Sequence, residues 1–251
     1  MILDTYQLKE KYNMDDYNDK LEMIREQSRL PAKDKLINFP RFVNRRDVAT
    51  FLNRYEIFKQ VVQIHGAVVE CGVNLGAGLF SWLHFSSILE PYNSSRYIVG
   101  FDTFEGFQSV NEKDDKGIYV EDRWEEFTSK QSYDEIVRSI EAQNENRPLN
   151  QMQKVSVVKG DAMQTIPQYL EDNPHLLVAL LHIDFDIHGP TKTALEQFLP
   201  RMPKGAVIAF DDLNAHEGPG ETVAFLEAMD IKKYKLCRNS FDSYLCYLVI
   251  E

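Results

Sequence analysis

From residue 67 to residue 213 the chain alternates between two kinds of pattern. Short runs that are almost continuously apolar, at 67–73, 97–103, 155–161, 178–186 and 205–213, each close on polar or glycine residues. A strand covered by helices on both faces reads this way, because both sets of its alternating side chains are buried. Helical segments lie between the runs, for example at 132–144 and 190–199. The alternation predicts an α/β fold, a doubly wound and mostly parallel sheet. The end of the chain breaks the rhythm. Runs at 234–238 and 244–250 are separated only by 239–243, too few residues for a crossover helix, so they predict an antiparallel hairpin.

Residues 1–65 differ from the rest. Tyr17, Leu21 and Ile24, then Phe51, Tyr55, Phe58 and Val62, recur at the three- and four-residue spacing of amphipathic helices, with a turn-like stretch around Pro31 and Pro40 between them. The expected organisation is a helical extension over 1–65 and an α/β domain over 66–251. The extension suits a lid, a contact with a second copy of the chain, or both. The connection 104–154 is long for a link between two strands, and its first part, to Phe127, is rich in Asp, Glu and Phe. It is expected to be a surface loop or lid.

Composition narrows the picture by exclusion. The 251 residues are 43% hydrophobic, enough for a core, and carry a formal charge of −11 with no dense cluster of Lys and Arg. Such a surface repels a phosphate backbone, so a nucleic-acid partner is not expected. The longest uncharged apolar stretch, 176–183, falls far short of the roughly 20 residues that cross a bilayer. The first 20 residues carry charges where a signal peptide needs an apolar run. Cys71, Cys237 and Cys246 have no metal-type spacing and read as reduced, buried thiols. A cytoplasmic protein is expected.

The candidate chemistry sits where the apolar runs end. The first run enters Glu70-Cys71-Gly72-Val73-Asn74-Leu75-Gly76-Ala77-Gly78. Glycines at a strand-to-helix turn let a ligand approach backbone where a Cβ would collide. The spacing G-x-x-x-G-x-G after an acidic residue differs from the G-x-G-x-x-G of dinucleotide binders and suggests adenosylmethionine; a tight packing turn is the alternative. The second run ends in Phe101-Asp102-Thr103. A carboxylate beside the glycine turn can accept ribose hydroxyls, unless Asp102 simply forms a turn. The third ends in Gly160-Asp161-Ala162. There Asp161 and the Ala162 N–H suit an adenine ring, with an N-cap as the competing role for Asp161. A parallel sheet that ends in a hairpin separates methyltransferase-type sheets from dinucleotide-binding ones.

Carboxylates form the strongest feature: His182-Ile183-Asp184-Phe185-Asp186 on the fourth run and Asp211-Asp212 on the fifth. Both pairs fall at the carboxyl edge of the sheet, where open α/β folds bind ligands. Crowded carboxylates repel unless a cation or a proton compensates, and oxygen ligands select Mg²⁺, Mn²⁺ or Ca²⁺ over zinc. Separate capping aspartates are the alternative. On strand alternation Asp184 and Asp186 share a face; Asp211 and Asp212 cannot, so the chain turns there. His182, inside an apolar strand, reads as a satisfied core residue. His188 and His216 follow the carboxylates on edge loops and are candidates to touch substrate. The segment 218–222 opens a helix, with Glu221 as a helix-start residue near a positive dipole end.

Glu70 to Gly78, the run Phe101-Asp102-Thr103-Phe104-Glu105-Gly106-Phe107, Asp184 and Asp211-Asp212 together resemble the macrocin O-methyltransferase family, over roughly residues 66–230. The resemblance implies a Rossmann-like class I fold, with a seven-stranded sheet and an antiparallel C-terminal hairpin. It implies S-adenosyl-L-methionine held by Glu70, Gly72, Gly76, Gly78, Asp102, Thr103, Asp161 and Ala162. It further implies Mg²⁺ (or Mn²⁺) on Asp184, Asp211 and Asp212, and methyl transfer to a hydroxyl of a saccharide or sugar-containing small molecule, with substrate contacts near 218–222. Asp184 would accept the proton, with His188, which stands where the family has a Tyr, as a second candidate base. Three rival readings follow from the same residues. Asp184-Phe185-Asp186 fits the D-x-D of a metal-dependent glycosyltransferase, a catechol-like diol fits the same metal, and a binding protein could keep the cofactor site without turnover.

Overall fold

The chain is described here by a computed structural model, over residues 14–114, 130–216, 218–241 and 245–251. Its strands are β1 Ala67–Cys71, β2 Ile98–Asp102, β3 Val155–Lys159, β4 Val178–Ile183, β5 Val207–Phe210, β6 Cys237–Arg238 and β7 Cys246–Val249. They form one sheet in the order β3-β2-β1-β4-β5-β7-β6. β1 to β5 are parallel, and β7 runs antiparallel to β5 and β6. The Rossmann-like sheet and its terminal hairpin are therefore as the hydrophobic pattern predicts. The strands are shorter than the apolar runs, because the last residues of each run already belong to the loops at the sheet edge.

The helices are α1 Met14–Gln27, α2 Ala32–Ile37, α3 Arg45–Val61, α4 Ala77–Leu89, α5 Lys130–Glu145, α6 Ala162–Asp172, α7 His188–Phe198 and α8 Gly220–Ala228. Every residue of β1, β4 and β5 is buried, the two-sided covering that the continuous apolar runs require. On one face Val69, Phe101 and Ile183 pack with Ile166 of α6, Phe198 of α7 and Phe225 of α8. On the other, Val68 and Leu180 pack with Phe58 of α3, Trp82 of α4 and Ile136 of α5. Burying each such large apolar side chain contributes about 1.5–3 kcal/mol.

Two compact units divide the chain, Met1–Leu52 and Asn53–Glu251. In the first, the Arg25 Nε donates to the Phe42 carbonyl at 2.9 Å and the Lys35 Nζ to the Arg25 carbonyl at 2.7 Å. The second unit begins within α3, whose Ile57, Phe58 and Val61 pack with Trp82 and Phe85 in the core of the sheet-bearing unit. In that unit Arg96, 1% exposed, donates to the carbonyl oxygens of Gly66 and Val61 and pairs with Glu90 at 2.8 Å. It ties the end of α3, the entry to β1 and the end of α4 together. Cys71 is buried as expected, while Cys237 and Cys246 are half-buried, and all three are free thiols. Among the described residues no helix is long and apolar enough to cross a membrane.

Sheet order and register position the site. β1 neighbours β2 on one side and β4 on the other, so the winding reverses between β1 and β4. Cys71 is level with Ile183, and Ile183 with Phe210. The next residues, Gly72, Asp184 and Asp211, are thus brought to one edge, held by the bonds Asp184 N–H to Cys71 carbonyl at 2.8 Å and Asp211 N–H to Ile183 carbonyl at 3.0 Å. Ligands bind at such a reversal in open α/β sheets.

Candidate active site

At this edge lies a cleft with about 150 Å³ of space, at the strand ends where open α/β sheets take small ligands. Gly72, Asp102, Thr103, Asp161, Ala162 and Asp184, all proposed from the sequence, line it. Three cleft residues without the freedom of glycine hold left-handed backbone: Asn74 (φ 48°), Phe104 (φ 52°) and Asp186 (φ 62°). Each such residue costs on the order of 1–3 kcal/mol, and such strain gathers at ligand sites.

The glycines of the turn serve different ends. Gly72 has φ 97°, and a Cβ there would lie 1.9 Å from the Asp184 carbonyl oxygen, so only glycine lets the ends of β1 and β4 meet. Gly76 has φ 90° and faces the Phe80 ring; it does not line the cleft. Gly78 is helical, and a Cβ there would lie 1.8 Å from the Glu70 Oε1. Its absence makes room for the Glu70 carboxylate, which is 1% exposed and accepts a hydrogen bond from the Trp82 Nε1. Gly76, Gly78 and Glu70 thus shape the turn from behind the cleft.

Asp102 holds the turn itself. Its Oδ2 accepts the N–H groups of Val73 and Asn74, each at 2.8 Å, and its Oδ1 accepts that of Phe104 at 2.6 Å. Thr103 closes the next turn, its Oγ1 donating to the Gly106 carbonyl at 2.7 Å. Asp161 caps α6 by accepting the Met163 N–H at 3.0 Å and also takes the Ser109 hydroxyl at 3.2 Å. The capping role and a place on the cleft wall are therefore compatible.

The aspartates gather as expected, but not as one trio. Carboxylate oxygens of Asp184, Asp186 and Asp212 all lie within 4.8 Å of one another, and a second set joins Asp184 and Asp211 to a ring nitrogen of His182. β4 ends at Ile183, so Asp186 is carried by a left-handed loop and not by the strand alternation expected for it. Glu221, which the sequence reading left as a helix-start residue, completes the cluster from α8. It is wholly buried; its Oε2 accepts the Asp212 N–H at 3.1 Å, and its Oε1 has no hydrogen-bond partner. Burial, then the neighbouring charges of Asp211 and Glu70, pushes the Asp184 carboxyl well above the usual range, against a smaller opposing effect of Arg54. Asp186 is raised by burial and by its hydrogen bond with Asp212, and Glu221 by burial and the charge of Asp212. Carboxyls crowded this way hold protons or wait for a cation.

The loop after β2 forms one wall of the cleft through Phe104, Phe107 and Ser109. Residues 115–127, the rest of the stretch read as a lid, lie outside the described residues. The loop is anchored at its far end by Asp114, 4% exposed, whose Oδ1 accepts the His188 N–H at 2.7 Å and so caps α7 from a distance. The His188 Nε2 lies 3.3 Å from the Lys113 Nζ and 3.2 Å from the Glu227 Oε2, and the ring does not line the cleft. Lys113, Lys192 and His188 together lower the Glu227 carboxyl to about 2.

The fold, the glycine turn and the carboxylate edge define a doubly wound α/β protein with a cleft at the strand ends, and comparison with known proteins gives its kind. The sequence profile of a methyltransferase domain matches residues 69–213. The calicheamicin methyltransferase CalS11 superposes with a TM-score of 0.89 at 28% identity, over 95% of this chain and 93% of that one. Its apo form, described as a TDP-rhamnose 3'-O-methyltransferase, superposes at 0.82 and 26%, over 95% and 94%. The O-methyltransferase NovP shares the fold at 0.61 and 18%, over 81% and 80%. A Bacillus cereus O-methyltransferase in complex with SAH does so at 0.50 and 16%, over 92% and 90%. No curated relative matches at the level of sequence. The chain belongs to the methyltransferase domain family and is an S-adenosylmethionine-dependent O-methyltransferase.

Proposed function

We propose that the enzyme methylates a hydroxyl of a deoxysugar or sugar-containing small molecule, in the manner of the macrocin O-methyltransferases, with a divalent ion on Asp184, Asp211 and Asp212. The observation that carries this reading is the carboxylate cluster at the mouth of the cleft, with Asp184 belonging to both. The likeness to CalS11, 28% identical and named for a TDP-rhamnose hydroxyl, supports a sugar acceptor. The residues fit a hard cation: the carboxyls are crowded, and the Glu221 Oε1 is buried without a partner beside them.

S-adenosylmethionine brings an electrophilic methyl carbon, and a divalent ion stabilises the alkoxide form of a hydroxyl held beside it. The chain aligns oxygen, carbon and sulfur, which is where most of an in-line displacement is won. Gly72 and Asp102 hold the turn on which the cofactor would lie, Asp161 and Ala162 would meet its adenine, and Asp184 on the cleft wall would take the proton of the acceptor hydroxyl. His188, engaged by Lys113 and Glu227, is better placed to steady the cleft wall than to act as base.

The test is incubation with methyl-labelled S-adenosylmethionine and three acceptor classes, nucleotide-linked deoxysugars, free sugars and catechols, with and without chelator. Labelling of a sugar that chelator abolishes supports the reading. Labelling of catechols alone moves the enzyme to another acceptor class, and chelator-resistant turnover removes the ion.

A further inference from the structure

One buried group beside the carboxylates has no role in this account. His182 on β4 is fully buried, and neither ring nitrogen has a hydrogen-bond partner. It is therefore not the satisfied core histidine that its apolar strand suggests. An unsatisfied buried polar group costs about 1–3 kcal/mol, so this position asks for a reason. Register supplies the surroundings: His182 is level with Glu70 on β1 and with Ala209 on β5. The Glu70 Oε2 stands 3.5 Å from its Nδ1, and the Trp82 ring meets it edge-on at 5.6 Å between centroids. A ring nitrogen lies within 4.8 Å of carboxylate oxygens of Asp184 and Asp211. A metal-bound histidine is commonly held this way, one nitrogen toward the ion and the other toward a carboxylate.

We propose that His182 is itself a ligand of the divalent ion, through Nε2, with Glu70 orienting the ring from Nδ1. The centre is then one of mixed nitrogen and oxygen donors, and it prefers a first-row ion such as Mn²⁺ to Mg²⁺, because imidazole favours transition metals over hard alkaline-earth ions. Glu70 acts on the ion through the ring. Its burial, the Trp82 hydrogen bond and the space left by Gly78 then serve one purpose, to fix a carboxylate behind a ligand. The inference rests on the metal reading above and adds a residue and a metal preference to it.

The test loads chelator-treated full-length enzyme with Mn²⁺ alone and records both the affinity and the pulsed-EPR nitrogen coupling. The parent protein should bind one Mn²⁺ and show the coupling of one imidazole. Among the described residues His182 is the histidine grouped with these carboxylates, so the parent spectrum alone is decisive even if a variant fails to fold. His182→Gln should lose the coupling and bind Mn²⁺ on the order of 10–100-fold more weakly, with a smaller change for Mg²⁺. Mn²⁺ bound without nitrogen coupling in the parent, or coupling that persists in His182→Gln, overturns this inference and leaves the aspartate site standing. No binding of either ion overturns both.

Discussion

Gly78→Ala separates a glycine that makes way for a ligand from one that makes way for the protein. Alanine is the better helix former by about 1 kcal/mol, and Gly78 lies within α4, so on propensity alone the change stabilises. Its Cβ, however, would lie 1.8 Å from the Glu70 Oε1 and 2.6 Å from its Cδ. The carboxylate must retreat by roughly 1.5 Å to reach ordinary carbon–oxygen contact, which breaks its hydrogen bond from the Trp82 Nε1 inside the core. A hydrogen bond to a charged group contributes about 1.5–3 kcal/mol, so the net loss is about 0.5–2 kcal/mol, or roughly 1–8 °C in Tm for a domain of this size. Urea and thermal unfolding measure it. In a Glu70→Ala background the obstacle is gone, and the same Gly78→Ala change should stabilise by about 0.5–1 kcal/mol. Calorimetric affinity for S-adenosylmethionine should stay near that of the parent throughout. A Gly78→Ala protein of parental stability that binds cofactor poorly, or no reversal of sign in the Glu70→Ala background, refutes the reasoning.

Three further outcomes are expected. Arg96→Met leaves the Glu90 carboxylate, 7% exposed, without its cationic partner, though Ser86 and Asn93 still donate to it, and should cost about 3 kcal/mol, read from the urea midpoint and partly recovered by adding Glu90→Gln. Burial lowers the Lys154 ammonium to about 8. Between pH 8 and its unfolded value near 10.4 the unfolded chain therefore binds more protons, and stability climbs with pH over that window, by about 1–2 kcal/mol after solvent screening; Lys154→Met should remove the climb when unfolding is compared at pH 7 and pH 10. Asp211→Asn should raise the divalent-ion concentration needed for half-maximal turnover by about tenfold or more and lower kcat, while calorimetry finds S-adenosylmethionine affinity unchanged in the variant and in chelator-treated parent; full turnover after chelation would remove the ion from the reaction.

The sheet was readable from the chain because two-sided burial leaves a mark that survives without coordinates: β1, β4 and β5 are buried throughout, and apolar except for Glu70 and His182. The hairpin was readable because a short connection permits one orientation. The aspartates at the edge followed from where the apolar runs stop. What escaped depends on contacts between distant segments. The N-terminus of α7 is capped by Asp114, 74 residues earlier, so no local signal marks it. Glu221 looks like an ordinary helix-start acid until α8 is seen to carry it beneath the Asp212 N–H. His182 reads as core because its strand is apolar, and only the lack of a hydrogen bond at either ring nitrogen says otherwise. The glycines are ambiguous for a related reason: a G-x-x-x-G-x-G spacing tells that three Cβ atoms are unwelcome, but not whether a cofactor, a backbone carbonyl or a buried glutamate excludes them.

That last distinction bears on how the site is held together. Gly72 lets β1 close on the Asp184 carbonyl, and Gly78 admits Glu70 beside His182, so two glycines of one turn act on the carboxylate cluster at the end of a neighbouring strand. Asp102, in turn, spends its carboxylate on the N–H groups of Val73 and Asn74 in the same turn. In the proposed site the turn is therefore a joint between the side assigned to the cofactor and the carboxylate side, and not a cofactor loop alone. Such a joint is what methyl transfer needs, because the displacement is sensitive to the distance and angle between an oxygen held on one side and a carbon delivered from the other. Backbone-to-backbone contact at Gly72 fixes that relation more firmly than opposing side chains would, since the strand ends are already tied by the ladder from Ala67 to Ile183. The left-handed residues Asn74, Phe104 and Asp186 stand around the same joint, and the strain they hold is tolerated because the ladder on either side leaves the chain no other path.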